Sequence, residues 1–80
     1  MYYVYIIQSI NFPNQYYVGY SEDLRARIRD HNWGESIHTS KFKPWGLIYY
    51  SGFTSEAIAK KFEYYLKTGS GRAFLKKHLI

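Results

Sequence analysis

QYYVGYSEDLRARIRDHN, running from Gln15 to Asn32, is the stretch whose reading decides the fold. Tyr16 to Tyr20 alternates and is rich in aromatic and β-branched residues, which predicts a strand. Ser21 and Asp23 are good helix N-caps and Glu22 suits a first turn, so a helix is expected from near Asp23 to about Trp33, with Gly34 able to stop it. On a 3.6-residue period, Leu24, Ile28 and His31 share one helical face. Arg27 lies at the border of that face, one turn before His31, while Arg25 and Arg29 point away from it. Gly19 is unfavourable inside a strand unless something approaches the backbone closely or the strand bends. A tyrosine, a glycine, an arginine and a histidine thus gather where a strand passes into a helix.

Upstream, Met1 to Gln8 predicts a strand with Tyr2, Val4 and Ile6 on one side and Tyr3, Tyr5 and Ile7 on the other. Both sides are apolar or aromatic, which suits a strand covered on both faces. Ser9 to Gln15 holds Asn, Pro and Asn and reads as a loop short enough for an antiparallel hairpin. Tyr5 and Tyr17 can then stand on one face, with the register left open. Downstream, Gly34 to Pro44 reads as an exposed basic loop and Trp45 to Phe53 as a third strand. Thr54 or Ser55 can cap a second helix from about Glu56 to Thr68, with Ile58, Phe62, Tyr65 and Leu66 as its buried stripe and Gly69 just past its end. Arg72 to His78 predicts a short last helix. The expected fold class is α+β, a small three-stranded, mainly antiparallel sheet flanked by helices in the order β-β-α-β-α-α.

Eighty residues suggest one domain, 1–80, and a small one. Ten tyrosines and five phenylalanines compensate by burying much area per residue. The absence of cysteine excludes disulfides and thiolate metal sites and suits a reducing, cytoplasmic setting. No apolar run approaches ~20 residues and the N-terminal residues lack a signal-peptide pattern, so no membrane partner is expected. A net charge of +5 points to a polyanionic partner, nucleic acid first.

Tyr3-Val4-Tyr5, then Tyr17-Val18-Gly19, Arg27, His31 and Glu63 resemble, in that order and roughly at that spacing, the GIY-YIG nuclease domain. The resemblance covers nearly the whole chain and is closest to the stand-alone, single-domain branch, like the N-terminal domain of excision-repair endonucleases. Lys43-Pro44-Trp45 and Lys67 to Arg72 resemble that branch too. Two positions depart from the pattern. Tyr3 stands where the family name has glycine, and Ser70 and Gly71 lie where an asparagine often follows the metal-binding helix.

The resemblance implies a metal-dependent DNA endonuclease or DNA-processing domain of repair or recombination. The alternative is a non-catalytic nucleic-acid-binding module on the same fold. Glu63 is then the metal ligand for a single Mg²⁺ or Mn²⁺, an ion that commonly keeps several waters and only one or two protein carboxylates. Its plainer reading is a solvated helix residue paired with Lys67 four positions on. Arg27, whose fork holds two phosphate oxygens, is the phosphate clamp, or else an arginine lying over the core edge. Tyr5 is assigned to water activation and Tyr17 to positioning or contact with metal-bound water, although core packing is the simpler role for any one of ten tyrosines. His31 can accept or relay a proton, or simply fill the core margin. His38 and His78 carry no pattern, and three scattered histidines make no zinc site. Arg25, Arg29, Lys41, Lys43 and Arg72, with Lys60, Lys61, Lys76 and Lys77, supply a basic surface for weak, salt-sensitive, sequence-nonspecific binding of DNA, including branched or nicked forms. A protein partner can supply further specificity.

Overall fold

The computed structural model describes residues 1–34 and 39–80. Strand β1 is Tyr2–Ser9, β2 is Tyr16–Ser21 and β3 is Trp45–Phe53; helix α1 is Leu24–Asn32, α2 is Glu56–Leu66 and α3 is Gly69–His78. A short 3₁₀ turn, Ser40–Phe42, precedes β3. The order is therefore β-β-α-β-α-α, and the fold is the α+β arrangement expected. The sheet is antiparallel throughout, with strand order β2-β1-β3.

The two apolar faces of β1 are both used. Val4 and Ile6 are fully buried against Ala59, Leu66 and Leu75, which places α2 and α3 on that face. Tyr5 and Ile7 are buried on the other face with Trp45, packed by Leu24 and Ile28 of α1 and by Phe42. Full burial of each aliphatic side chain contributes roughly 1.5–3 kcal/mol. In the hairpin Tyr5 faces Gly19 and Ile7 faces Tyr17, so the four residues share the α1 face of the sheet. On the opposite edge the register slips between Ile6 and Ile7, leaving Ile48 of β3 without an opposite number.

Cap chemistry sets the start of every α-helix. The Asp23 carboxylate accepts from Ala26 N–H, and the Ser55 hydroxyl accepts from Ile58 N–H. Gly34, at φ +77°, ends α1 as its sequence position predicts.

Three expectations are corrected. The buried stripe of α2 is Ala59, Phe62 and Leu66; Ile58 and Tyr65 are 51% and 40% exposed. The helix is rotated because only a side chain as small as Ala59 lets its axis approach the sheet. This rotation moves Glu63 to the margin of the packed face. Second, Gly69 does not terminate α2. Thr68 accepts from Gly71 N–H and donates to the Tyr65 carbonyl, so α2 ends at Leu66 and α3 begins at Gly69 rather than Arg72. Third, the segment from Gly34 to Pro44 is not simply an exposed loop. Thr39 is buried and Phe42 packs on the core, while Lys41 and Lys43 remain exposed. Glu35, Ser36 and His38, read as part of that loop, lie outside the described residues.

Candidate active site

Edge strand β2 is bracketed by α1 on one face and by α2 on the other. Tyr17 and Gly19 of β2 face α1, as does Tyr5 of β1 beside them. Gly19 meets its expectation here. A Cβ at that position would stand 2.3 Å from both Cζ and the hydroxyl oxygen of Tyr5, so the missing side chain is what admits the Tyr5 ring.

The Tyr5 hydroxyl lies 2.7 Å from Nε2 of His31, and Nδ1 of His31 lies 2.6 Å from Oγ1 of Thr39. All three residues are 1% exposed. The Tyr17 ring packs against the same imidazole, at 5.1 Å between centroids, and is only partly buried. From the α2 side, Lys67 Nζ donates to Glu63 at 2.9 Å and lies 5.5 Å from the centre of the Tyr17 ring. The pairing of Glu63 with Lys67, its plainer reading, is therefore present, and the pair also reaches the tyrosine cluster.

Electrostatics connects the rest. Burial raises the Tyr5 phenol well above its usual range; Tyr17, Glu63 and Asp30 push it further and Arg27 draws it down. Burial lowers the His31 imidazole below its usual value, with Arg27 acting the same way and Asp30 opposing. Exposed Arg27 thus acts on both buried groups from the rim. His31 is neutral at pH 7 in the folded chain. Unfolded, it takes up a proton as pH falls through about 6.5, while the folded chain still resists it. Stability should therefore drop as pH is lowered from 7 towards 5.5. A falling urea midpoint over that range, with a flatter profile in His31→Gln, is the expected result; a flat parental profile contradicts it.

Tyr5, Tyr17, His31 and Glu63 are thus brought together with Arg27 at the rim. The expected basic residues are not gathered in one place. Arg72, with Lys67 and Lys76, lines a groove of about 410 Å³ that runs past Tyr16 and Tyr17 and has no carboxylate in its lining. Arg25 lines a different groove, with Glu22 and Asp23. Arg29 is exposed on α1, Lys41 lies over Phe42, and Lys43 reaches back to Gly34. Two participants were not anticipated from sequence. Thr39, eight positions beyond His31, carries no local signal. Lys67 was visible only as a helical partner of Glu63.

Among the described residues, no three His, Asp or Glu side chains converge into a metal cage. The donor chemistry is one carboxylate, Glu63, paired with Lys67 next to the Tyr17 ring. That fits a hard divalent cation that keeps most of its waters, once Lys67 releases the carboxylate. No described helix is long and apolar enough to cross a membrane.

The family model described as the GIY-YIG catalytic domain matches residues 1–77. The chain belongs to the GIY-YIG family. This GIY-YIG domain is 37% identical over 75 residues to a UPF0213 protein of Staphylococcus haemolyticus, covering 92% of this chain and 89% of that one. It is 36% identical to the UPF0213 protein YazA of Bacillus subtilis, over 68% of this chain and 56% of the relative. It is also 33% identical to a structure-specific endonuclease subunit SLX1 homologue of Giardia intestinalis, over 78% of this chain but only 18% of that protein.

Proposed function

We propose that this GIY-YIG domain is a divalent-metal-dependent DNA endonuclease acting in repair or recombination. The observation that carries the reading is the convergence of Tyr5, Tyr17, His31 and Glu63 on one sheet edge, with Arg27 at its rim, beside an acid-free basic groove. Similarity to structure-specific endonuclease subunits supports it.

The duplex or branch arm lies along the groove, held by Lys67, Arg72 and Lys76 through its phosphates. Arg27 takes two oxygens of the scissile phosphate. Glu63 holds a Mg²⁺ or Mn²⁺, which when bound supplies charge stabilisation at the phosphate and a more acidic water. Tyr17, the accessible phenol, orients the attacking water. Buried Tyr5 is the poorer candidate for direct water contact and an unfavourable phenolate. It can pass its proton to Nε2 of His31 only while its oxygen receives one from the water side. Phosphate binding at Arg27 offsets that cation's effect on His31 and makes the imidazole a better proton acceptor.

The ion pair between Glu63 and Lys67 favours the second reading, a nucleic-acid-binding module in which Glu63 is permanently occupied. Labelled duplex, nicked and branched DNA at low salt separates the two. Under the enzyme reading, Mg²⁺ or Mn²⁺ supports cleavage and chelator abolishes it. Binding without cleavage under every metal condition supports the module instead.

The groove makes its own prediction. Replacing Arg72 and Lys76 together with glutamine should flatten the salt dependence of binding by about 2 in log–log slope, near the 0.9 expected per lost phosphate contact. The same double change at Arg25 and Arg29 should leave the slope nearly as it was. Equal effects of the two pairs in a titration from low to moderate salt would place the DNA elsewhere.

A further inference from the structure

Both ring nitrogens of His31 are engaged at hydrogen-bond distance in a site closed to solvent, and each partner is a hydroxyl. A neutral imidazole has one N–H and one bare nitrogen, so only two arrangements fit. In the first, the Tyr5 O–H donates to bare Nε2 and Nδ1–H donates to Thr39 Oγ1. In the second, Thr39 donates to bare Nδ1 and Nε2–H donates to Tyr5. A phenol is far more acidic than an aliphatic hydroxyl and is the stronger donor. The stronger bond therefore points the Tyr5 O–H at bare Nε2, and Thr39 must then be the acceptor.

We propose that Thr39 is a positioning residue of the active site: its hydroxyl oxygen holds His31 in the Nδ1–H tautomer, which turns bare Nε2 towards Tyr5 and makes the Tyr5 hydroxyl the donor of that pair. Thr39 touches no substrate and acts only through His31. Its own placement is fixed from the other side, since the Trp45 indole N–H donates to the Thr39 carbonyl at 2.8 Å. Trp45 is itself anchored at the β3 edge, where the Asn32 side chain bonds both its backbone N–H and its carbonyl. The same helix, α1, thus supplies the imidazole and, one residue later, the amide that anchors the support of its partner. The groups facing His31 are Tyr5 and Tyr17 from the sheet, Thr39 from the segment before β3, and the charges of Arg27 and Asp30 on α1.

The catalytic consequence rests on the endonuclease reading, but the tautomer does not. Long-range ¹H–¹⁵N correlation spectra of the parent at pH 7.5 report the tautomer of His31 directly. The expected result is protonated Nδ1 and bare Nε2 in the parent and in Thr39→Ser, which keeps the hydroxyl. Thr39→Val, nearly the same shape without an acceptor, should shift the ring towards Nε2–H. Protonated Nε2 in the parent overturns the proposal, whatever the variants do and whether or not any DNA is cut. An unchanged tautomer in folded Thr39→Val overturns it too. If the valine variant does not fold, the spectra of the parent and of Thr39→Ser still decide.

Where cleavage is measurable, Thr39→Val should lower kcat by about 10–100-fold, as loss of the orienting hydrogen-bond partner does for metal-ligating histidines. It should change KM little, and Thr39→Ser should restore most of kcat. A valine variant with the kcat of the parent contradicts the positioning role even if the tautomer is as expected.

Discussion

Gly71→Ala should destabilise this protein by about 3 kcal/mol, the upper range for overpacking a site that cannot yield. A Cβ at Gly71 would lie 1.7 Å from the carbonyl oxygen of Tyr65 and 2.5 Å from its carbon. These are backbone atoms of the last turn of α2, so no rotamer change relieves the clash. The first turn of α3 passes this close because Thr68 serves both helices, accepting from Gly71 N–H while donating to Tyr65 O. Separating them strains that link and lifts Leu75 from Val4, Ile6 and Leu66. At about 4–8 °C per kcal/mol for a chain of this size, the melting temperature should fall by roughly 15 °C. Gly69→Ala is the control. Nothing lies within 4 Å of its Cβ position, and alanine suits a helix better than glycine. Equal melting temperatures for the two variants would contradict the packing described for the junction.

Gly19→Ala is the second large effect, and it strikes fold and site together. Its Cβ would sit 2.3 Å from Cζ and from the hydroxyl of Tyr5. Tyr5 is enclosed by β1, β2, α1 and Trp45 and has nowhere to turn. The ring must shift, the bond to His31 Nε2 breaks, and the strand spacing opens. A loss of about 2–3 kcal/mol is expected, together with loss of any activity that depends on Tyr5. Tyr5→Leu in the same chain removes the offending ring end. It should therefore recover part of the stability of Gly19→Ala without recovering activity, a coupling that a double-mutant cycle measures. Strictly additive effects would show that the two residues do not meet.

These two glycines mark how far the sequence could be read. At Gly19 the signal was local: a glycine in a run of aromatic strand residues needs a close neighbour, and the neighbour is Tyr5. At Gly71 it was misleading. The pair Thr68-Gly69 looks like a helix end followed by a loop, whereas Thr68 caps a second helix at once. The first strand was legible on both faces because its alternation is between two apolar sets, and α1 because Asp23 and Gly34 bound it chemically. The phase of α2 was misread because Ile58 and Tyr65 are more hydrophobic than Ala59, yet close approach to a sheet favours the small residue.

The candidate site divides along the same line. Tyr5, Tyr17, Arg27, His31 and Glu63 could be named because their order and spacing match a family. The hairpin register then puts Tyr5 and Tyr17 on the α1 face, and the rotated α2 brings Glu63 to the β2 edge. Thr39 was out of reach, since its partnership with His31 is a side-chain contact across eight positions that no periodicity encodes. The two phenols also differ in burial. Tyr5, to which the resemblance assigns water activation, is enclosed and bonded to His31, whereas Tyr17 is only partly buried.

The central claim is that this edge cluster hydrolyses phosphodiester bonds with Glu63 as the metal ligand. Its most direct test is single-turnover cleavage of labelled duplex and branched DNA at low salt with Mg²⁺ or Mn²⁺. The parent is compared with Glu63→Gln and Arg27→Ala, each first shown to be folded. The parent should cut, and each variant should be slower by on the order of 10³-fold, equivalent to about 4 kcal/mol of lost transition-state stabilisation. Cleavage by Glu63→Gln at the parental rate, or a parent that cuts no DNA under either metal, would contradict it.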